Sequence, residues 1–475
     1  MPSVVDNHAS AVRHDASFRD PSGFVFEQQG RIFRAVDQPC LDLITGLRDS
    51  GLLTELVEAG MIVETTLVDE PSSLVDWPAD VTRAAGIFEH RRIDTISYPF
   101  EWSPAMLADA GILTLDLQMR LLADGYSLKD ASAYNIQFVN GKPVFIDIPS
   151  IERPQRFDVW IGLGQFNRMF TLPLLLNRKK GQSLRSCFLA NLDGARLDEV
   201  RLAFSWLELL GPSLLFDLTI PYWLGRRAES AREASSQAIT PKEGSVHAQL
   251  WNLRRLRSKL QRLARRRPRS DWTDYASTCS YAETSERSKV ESVQQFLIER
   301  CPRRVLDVGC NTGRYALLAS EVGADVVAVD SDPCCIDVLY RKVKQRQLSI
   351  LPLCMDIANP SPAIGFCNRE RARFLDRIKP DCVLALASIH HLVVSANLPL
   401  PSIRDMFADL TTHHLVLEFV PTHDVMFRRL MRFRVDLYED FTLDHCLRTF
   451  KERFHVVQRV PLPDSPRTLL FFEKK

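Results

Sequence analysis

The sequence predicts an α/β chain: a C-terminal domain on a mostly parallel sheet closed by an antiparallel terminal strand, preceded by an N-terminal α+β domain. Three observations predict it. Apolar, β-rich runs at 304–308, 325–329, 349–355, 381–387 and 414–420 alternate with helical stretches near 312–321, 333–345, 368–377 and 400–411. Such alternation buries a parallel sheet beneath helices on both faces. The runs Arg453–Val460 and Arg467–Phe472 flank a proline-rich turn and read as a terminal hairpin. Finally, 475 residues exceed what one core usually serves, and a break in composition at 228–248, rich in Ala, Ser and Glu, separates two halves.

Taken in order, residues 1–20 are polar and read as a disordered tail, without the apolar core of a signal peptide. Residues 21–226 form the α+β domain. Within it Gly23–Arg34 is a first hairpin, Ile96–Trp102 a hinge-like strand and 104–124 a long helix. Residues 227–271 are a linker with a basic helix: Trp251–Arg269 carries nine basic residues and no acidic one, with Leu253, Leu256, Leu260 and Leu263 at helical spacing. That helix either tracks phosphates or a membrane surface, or docks its leucines on one of the domains. Residues 272–475 form the C-terminal domain. It opens with a helix over 286–300 that presents Val290, Val293, Phe296 and Leu297 to the sheet edge.

Lys plus Arg (60) nearly cancels Asp plus Glu (59), which argues against nucleic acid as the main partner. No run of eighteen uncharged apolar residues occurs, so a transmembrane segment is not expected and the chain reads as cytoplasmic. The eleven cysteines include no C-x-x-C pair and read as mostly buried, reduced thiols.

The stretch Arg304-Val-Leu-Asp-Val-Gly-Cys-Asn-Thr-Gly313 is an apolar strand breaking into a glycine-bearing loop that opens a helix. Asp330 closes the next strand 23 residues after Asp307. Glycines let backbone approach a ligand closely, and an acid at that distance suits ribose hydroxyls, so a nucleoside cofactor is indicated. The closely spaced G-x-G-x-x-G of dinucleotide folds is absent. The loop resembles motif I of class I S-adenosylmethionine-dependent methyltransferases, and Asp325–Asp330, Leu351–Asp356 and Asp381–Ala387 resemble that family's next three strands in order. The resemblance implies a Rossmann-like fold and S-adenosyl-L-methionine as cofactor. It implies that Asp307, Gly309, Asn311 and Gly313 line the methionine side, that Asp330 holds the ribose and that Asp356 meets the adenine amino group.

The first half holds Leu128-Lys-Asp-Ala-Ser-Ala-Tyr-Asn-Ile-Gln-Phe138 and then Pro143-Val-Phe-Ile-Asp147. The spacing of Asp130, Asn135 and Asp147 resembles the catalytic and metal-binding loops of kinases. Leu128-Lys129 replaces the usual His-Arg, no glycine-rich phosphate loop or V-A-I-K lysine is present, and Arg34 is the one nearby cation. A degenerate binding or scaffold domain and live phosphoryl transfer both remain open.

Across nearly the whole chain the sequence resembles the family of the rhizobial host-specific nodulation protein NoeA and related methyltransferases. The carriers are Ile96–Trp102, Asp130–Asp147, Trp272-Thr-Asp-Tyr275, Gly309–Gly313, Asn359-Pro-Ser-Pro362, Ile389-His-His-Leu392 and Glu418-Phe-Val-Pro421. The resemblance implies a role in host-dependent nodulation but does not identify the acceptor; a small-molecule or glycolipid acceptor and peripheral membrane contact through the basic helix are left open. For the chemistry, His390 and His391 follow the fourth parallel strand, where ligands bind open sheets, and either one suits proton removal from an acceptor. An equal alternative is that both pack or cap a helix. A further alternative is a metal held by His390, His391, Glu418 and His423 at the ends of strands four and five. Asn359–Pro362 reads as a loop that rims the cofactor pocket and positions Asp356.

Overall fold

The computed structural model describes residues 11–68, 84–157, 159–220, 222–223, 246–265, 283–431 and 440–475. Strands β1 (Val12–Arg13), β2 (Gly23–Gln28), β3 (Arg31–Val36), β4 (Thr65–Leu67) and β5 (Gly86–His90) make an antiparallel sheet ordered β1-β2-β3-β5-β4. The expected first hairpin is β2–β3. Residues 11–20 correct the expectation of a tail through residue 20: β1 pairs with β2, Val12 opposite Glu27. The long helix Pro104–Ala123 is started by Pro104 after the Ser103 cap, whose hydroxyl accepts from Met106 N. It is mostly apolar and buried along most of its length.

A second correction falls in this half, and one of the two alternatives for the basic helix is met. The segment expected as a hinge-like strand forms a 3₁₀ turn at Pro99–Glu101, because Tyr98 N donates to Glu101 Oε2 and folds the chain back. The leucines of the basic helix Val246–Ala264 are not a free face. Leu253, Leu256 and Leu260 are buried, Arg257 pairs with Asp116 at 2.7 Å, and Gly111 of the long helix lies under Leu260. Burial of that stripe against the long helix is what an amphipathic helix gains from docking.

The second half carries strands β10 (Arg304–Val308), β11 (Asp325–Asp330), β12 (Ile350–Cys354), β13 (Cys382–Ala385), β14 (His414–Phe419), β15 (Phe454–Pro461) and β16 (Thr468–Lys474). The short two-stranded pairs β6 (Ser127–Leu128) with β9 (Ile151–Glu152) and β7 (Ile136–Val139) with β8 (Lys142–Phe145) lie between the two sheets in sequence. The seven strands are ordered β12-β11-β10-β13-β14-β16-β15, the first five parallel and β16 antiparallel between β14 and β15. Near-continuous apolar runs such as Val305-Leu306 and Val326–Val329 fit strands covered on both faces. The helix expected over 368–377 is instead a 3₁₀ turn, Phe366–Asn368, with Cys367 and Asn368 at positive φ within it, and a short helix, Phe374–Arg377. The opening helix is Glu283–Arg300, and it buries Ser285 and Lys289 along with Val293, Phe296 and Leu297.

The two halves meet on the helix Pro333–Arg346. Tyr340 donates to Asp109 at 2.8 Å, Ala105 N to Asp337 Oδ1 at 3.1 Å, and Lys344 pairs with Asp109 at 2.6 Å. A Cβ on Gly141, at the β7–β8 turn, would sit 2.8 Å from Lys344 backbone, so that turn lies directly on the helix. Among the described residues no helix is long and apolar enough to cross a membrane.

Candidate active site

The parallel register brings the sequence-predicted residues to one edge. Val308 lies beside Val329 and Asp330 beside Cys354, so the glycine loop, Asp330 and Asp356 leave the sheet together at its carboxyl end. Asp307 pairs with Leu384, which puts the turn after β13, and with it Ser388, next to Gly309. In open α/β sheets that edge is where ligands bind.

The glycine loop is held by backbone. Gly309 N and Cys310 N both donate to Val329 O at 2.9 and 3.0 Å, and Gly313 N donates to Cys310 O. Gly309 has φ +71° and Gly313 +86°, the left-handed region that suits glycine. A side chain at Gly313 would also meet Leu339 Cδ1 at 2.3 Å. Asn311 shares that conformation, and its N–H donates to Asp330 Oδ2 at 2.8 Å, while Asp332 N donates to Oδ1 at 2.9 Å. Asp330 thus braces the glycine loop through Oδ2 and its own following turn through Oδ1. Burial raises its pKa, and the two N–H donors oppose that rise.

Asp356 is exposed, and its carboxylate accepts from Ala358 N at 2.9 Å. Asn359–Pro362 follows it as the expected rim loop, and a residue of the first half grips this loop. Arg185 donates to Asn359 O at 2.9 Å and to Ser361 Oγ at 3.0 Å. No sequence signal pointed to Arg185, since the contact spans 176 positions.

Behind the loop the polar groups are buried. Asp307 is 2% exposed, its Oδ2 has no hydrogen-bond partner among the described residues, and burial pushes its pKa up to about 7. Tyr315 Oη and Ser388 Oγ are likewise buried without partners among the described residues. Unsatisfied buried polar atoms are rare in folded chains and call for a partner. This set, beside a backbone cradle and a braced carboxylate, suits a polar nucleoside ligand. Lys289 forms a 2.6 Å ion pair with Glu418, which also meets Arg467 at 3.3 Å, and Arg467 pairs with Asp424 at 2.8 Å. That network corrects the metal alternative, because Glu418 is committed to two cations. Among the described residues no group of three or more His, Cys, Asp and Glu could hold a metal ion.

His390 and His391 open the helix Ile389–Val394 with ring centroids 4.3 Å apart. His390 is 1% exposed and lies against Phe427, whereas His391 is half-buried. Burial, and then the charges of His391 and Arg467, push His390 down to about 3. Burial and Arg467 also lower His391. Both imidazoles are therefore neutral at neutral pH.

The strand order, the braced glycine loop and the acids ending β11 and following β12 define a class I S-adenosylmethionine-dependent methyltransferase, and a methyltransferase-domain family model matches residues 248–454. The chain is 32% identical over 463 residues to Nodulation protein NoeA of Rhizobium meliloti (strain 1021), covering 96% of this chain and 95% of that one. It belongs to the NoeA family. Among solved structures it is similar to the N-methyltransferase NodS of Bradyrhizobium japonicum WM9, at 15% identity over 40% of this chain and 97% of that one, with a TM-score of 0.31. It is also similar to the bifunctional kinase-methyltransferase WbdD, at 15% identity over 41% and 40% of the two chains, with a TM-score of 0.29.

Proposed function

We propose that the chain methylates a hydroxyl or amine of a small-molecule or glycolipid acceptor that takes part in host-specific nodulation. The observation that carries the site assignment is the Asp330-braced loop with Asp307 Oδ2 and Ser388 Oγ beside it, both buried without hydrogen-bond partners among the described residues. In this reading Asp307, Gly309, Asn311 and Gly313 line the methionine end, Asp330 accepts from the ribose, and the exposed Asp356 accepts from the adenine amino group. S-adenosylmethionine, when bound, supplies an electrophilic methyl on its sulfonium. The chain then has to align the acceptor and take its proton. His391 is the residue we assign to the proton, since it is the more accessible of two neutral imidazoles; buried His390 supports it by packing.

The sign of the pH effect follows. A base must be unprotonated, and both histidines are held below the ordinary value of about 6.5 by burial. Turnover at saturating cofactor, measured by S-adenosylhomocysteine release, is expected to stay level as pH falls to about 6.5 and to drop only below it. His391→Ala should abolish the proton-dependent limb while leaving cofactor binding unchanged. Wild-type turnover that fades on the acid side with a midpoint above neutrality would assign the base to another group.

For the first half we propose a binding or scaffold role in place of phosphoryl transfer. Arg34, 7% exposed, donates to Asp147 at 2.9 Å and to Asp20 at 2.7 Å. Ser150 donates to the other Asp147 oxygen, and Asn135 donates to Ser150 at 3.3 Å. Asp147 and Asn135 are thus tied into a closed network instead of facing an open metal position. Titration of the full chain with Mg-ATP is expected to give no saturable heat, and micromolar binding that Asp147→Ala removes would reverse this assignment.

A further inference from the structure

Residues 197–220 and 222–223 include short helical turns that bury Val200, Phe204, Leu214 and Leu218 and leave other large apolar side chains exposed. Leu202 is 88% exposed, Trp206 70%, Leu207 63%, Leu210 61%, Phe216 62% and Trp223 53%. Scattered exposed leucines are ordinary, but six such side chains within 22 residues, two of them tryptophan, are a concentration that points to an interaction surface. Thr219 Oγ1 donates to Leu209 O at 3.1 Å, which ties the turn that carries Phe216 to the one that carries Leu210.

What borders the patch indicates its occupant. Asp217, next to Phe216, forms a 2.7 Å ion pair with Lys259, which fixes the turns against the helix Val246–Ala264. That helix carries five Lys and Arg and no Asp or Glu, and with its leucines buried it turns Arg254, Arg255 and Arg262 outward. Arg255 and Arg262 lie close enough to Lys259 to lower its pKa, after burial and against the attraction of Asp217, so this positive surface adjoins the patch. Tryptophan and leucine beside a purely basic helix are the composition of a surface seated at an anionic lipid headgroup layer. A protein partner would need a matching acidic rim on one fixed contour; an anionic bilayer offers negative charge and apolar depth along the whole face.

We propose that this face, Leu202 to Trp223 with the outward arginines of the neighbouring helix, seats the protein on an anionic membrane surface without crossing it. The proposal is independent of the methyl acceptor, because acceptor-free vesicles test it. Full-length protein is sedimented with phosphatidylglycerol-containing and with pure phosphatidylcholine vesicles. Tryptophan emission is followed in parallel, and mass is measured by light scattering. The expected result is co-sedimentation with the anionic vesicles, a blue shift on binding, and at least about a tenfold weakening in Trp206→Ser/Leu207→Ser/Phe216→Ser and in Arg254→Glu/Arg255→Glu. Both variants alter exposed positions, and unchanged melting curves show that they fold. Three results overturn it: no sedimentation with either vesicle; binding that the two variants leave intact; or a wild-type dimer that the serine variant converts to monomer, which gives the face to a second copy.

Discussion

Asp330→Ala is expected to weaken S-adenosylmethionine binding by one to two orders of magnitude, because a hydrogen bond to a charged group contributes about 1.5–3 kcal/mol. The carboxylate has two duties at one place. Its oxygens accept from Asn311 N at 2.8 Å and Asp332 N at 2.9 Å, and in the proposed reading their remaining lone pairs serve as ribose acceptors. Alanine removes the acceptors and also releases Asn311, a non-glycine residue held at φ +50°. Asp330→Asn separates the two: an amide keeps one acceptor oxygen and can brace one N–H, so its loss should be intermediate. Calorimetric titration of both variants, with thermal melts alongside, is the test. An Asp330→Ala protein that melts normally and binds the cofactor as tightly as wild type would place the ribose elsewhere.

That expectation was open to a reader of the sequence because local geometry writes it there. A strand, a turn that needs positive φ and a helix leave apolar, glycine and helix-forming residues in fixed order, and the parallel register then carries Asp330 to the same edge. The five parallel strands and the final hairpin were legible for the same reason. What was not legible came from distant contacts or from polar residues in apolar places. Arg185 reaches the rim loop from the other half of the chain, and only tertiary packing brings it there. The stretch 368–377 has helix-forming composition, but positive φ at Cys367 and Asn368 breaks it. Ile96–Trp102 looked extended until Glu101 turned back on Tyr98 N. Lys289 did leave a signal: it stands four residues before Val293 and seven before Phe296, a charge on the stripe that faces the sheet. A lysine there needs a buried anion, and Glu418 on β14 is that anion.

Glu418→Gln is therefore expected to cost about 3–5 kcal/mol of folding stability, the usual penalty for removing one member of a buried ion pair. Glu418 is fully buried and serves Lys289 at 2.6 Å and Arg467 at 3.3 Å. Arg467 would retain Asp424, which it grips with Nε at 2.8 Å and Nη2 at 3.0 Å. Lys289, 5% exposed, would lose its ion-pair partner. The carboxylate left near it is Asp307, whose pKa of about 7 is raised by burial and by Asp330 and lowered by Lys289. With the Glu418 charge gone, Lys289 should pull that pKa down further, so the variant pairs a loss of stability with a more readily ionised acid beside the glycine loop. Lys289→Met/Glu418→Gln removes both charges and should recover most of the loss, since two neutral groups no longer demand a counter-ion. Urea unfolding of the single and double variants closes the cycle. A single variant within about 1 kcal/mol of wild type would match an exposed pair and exclude the network as the brace beneath the site, whereas a large single loss restored in the double variant fixes Lys289 as the partner that makes a buried glutamate tolerable there.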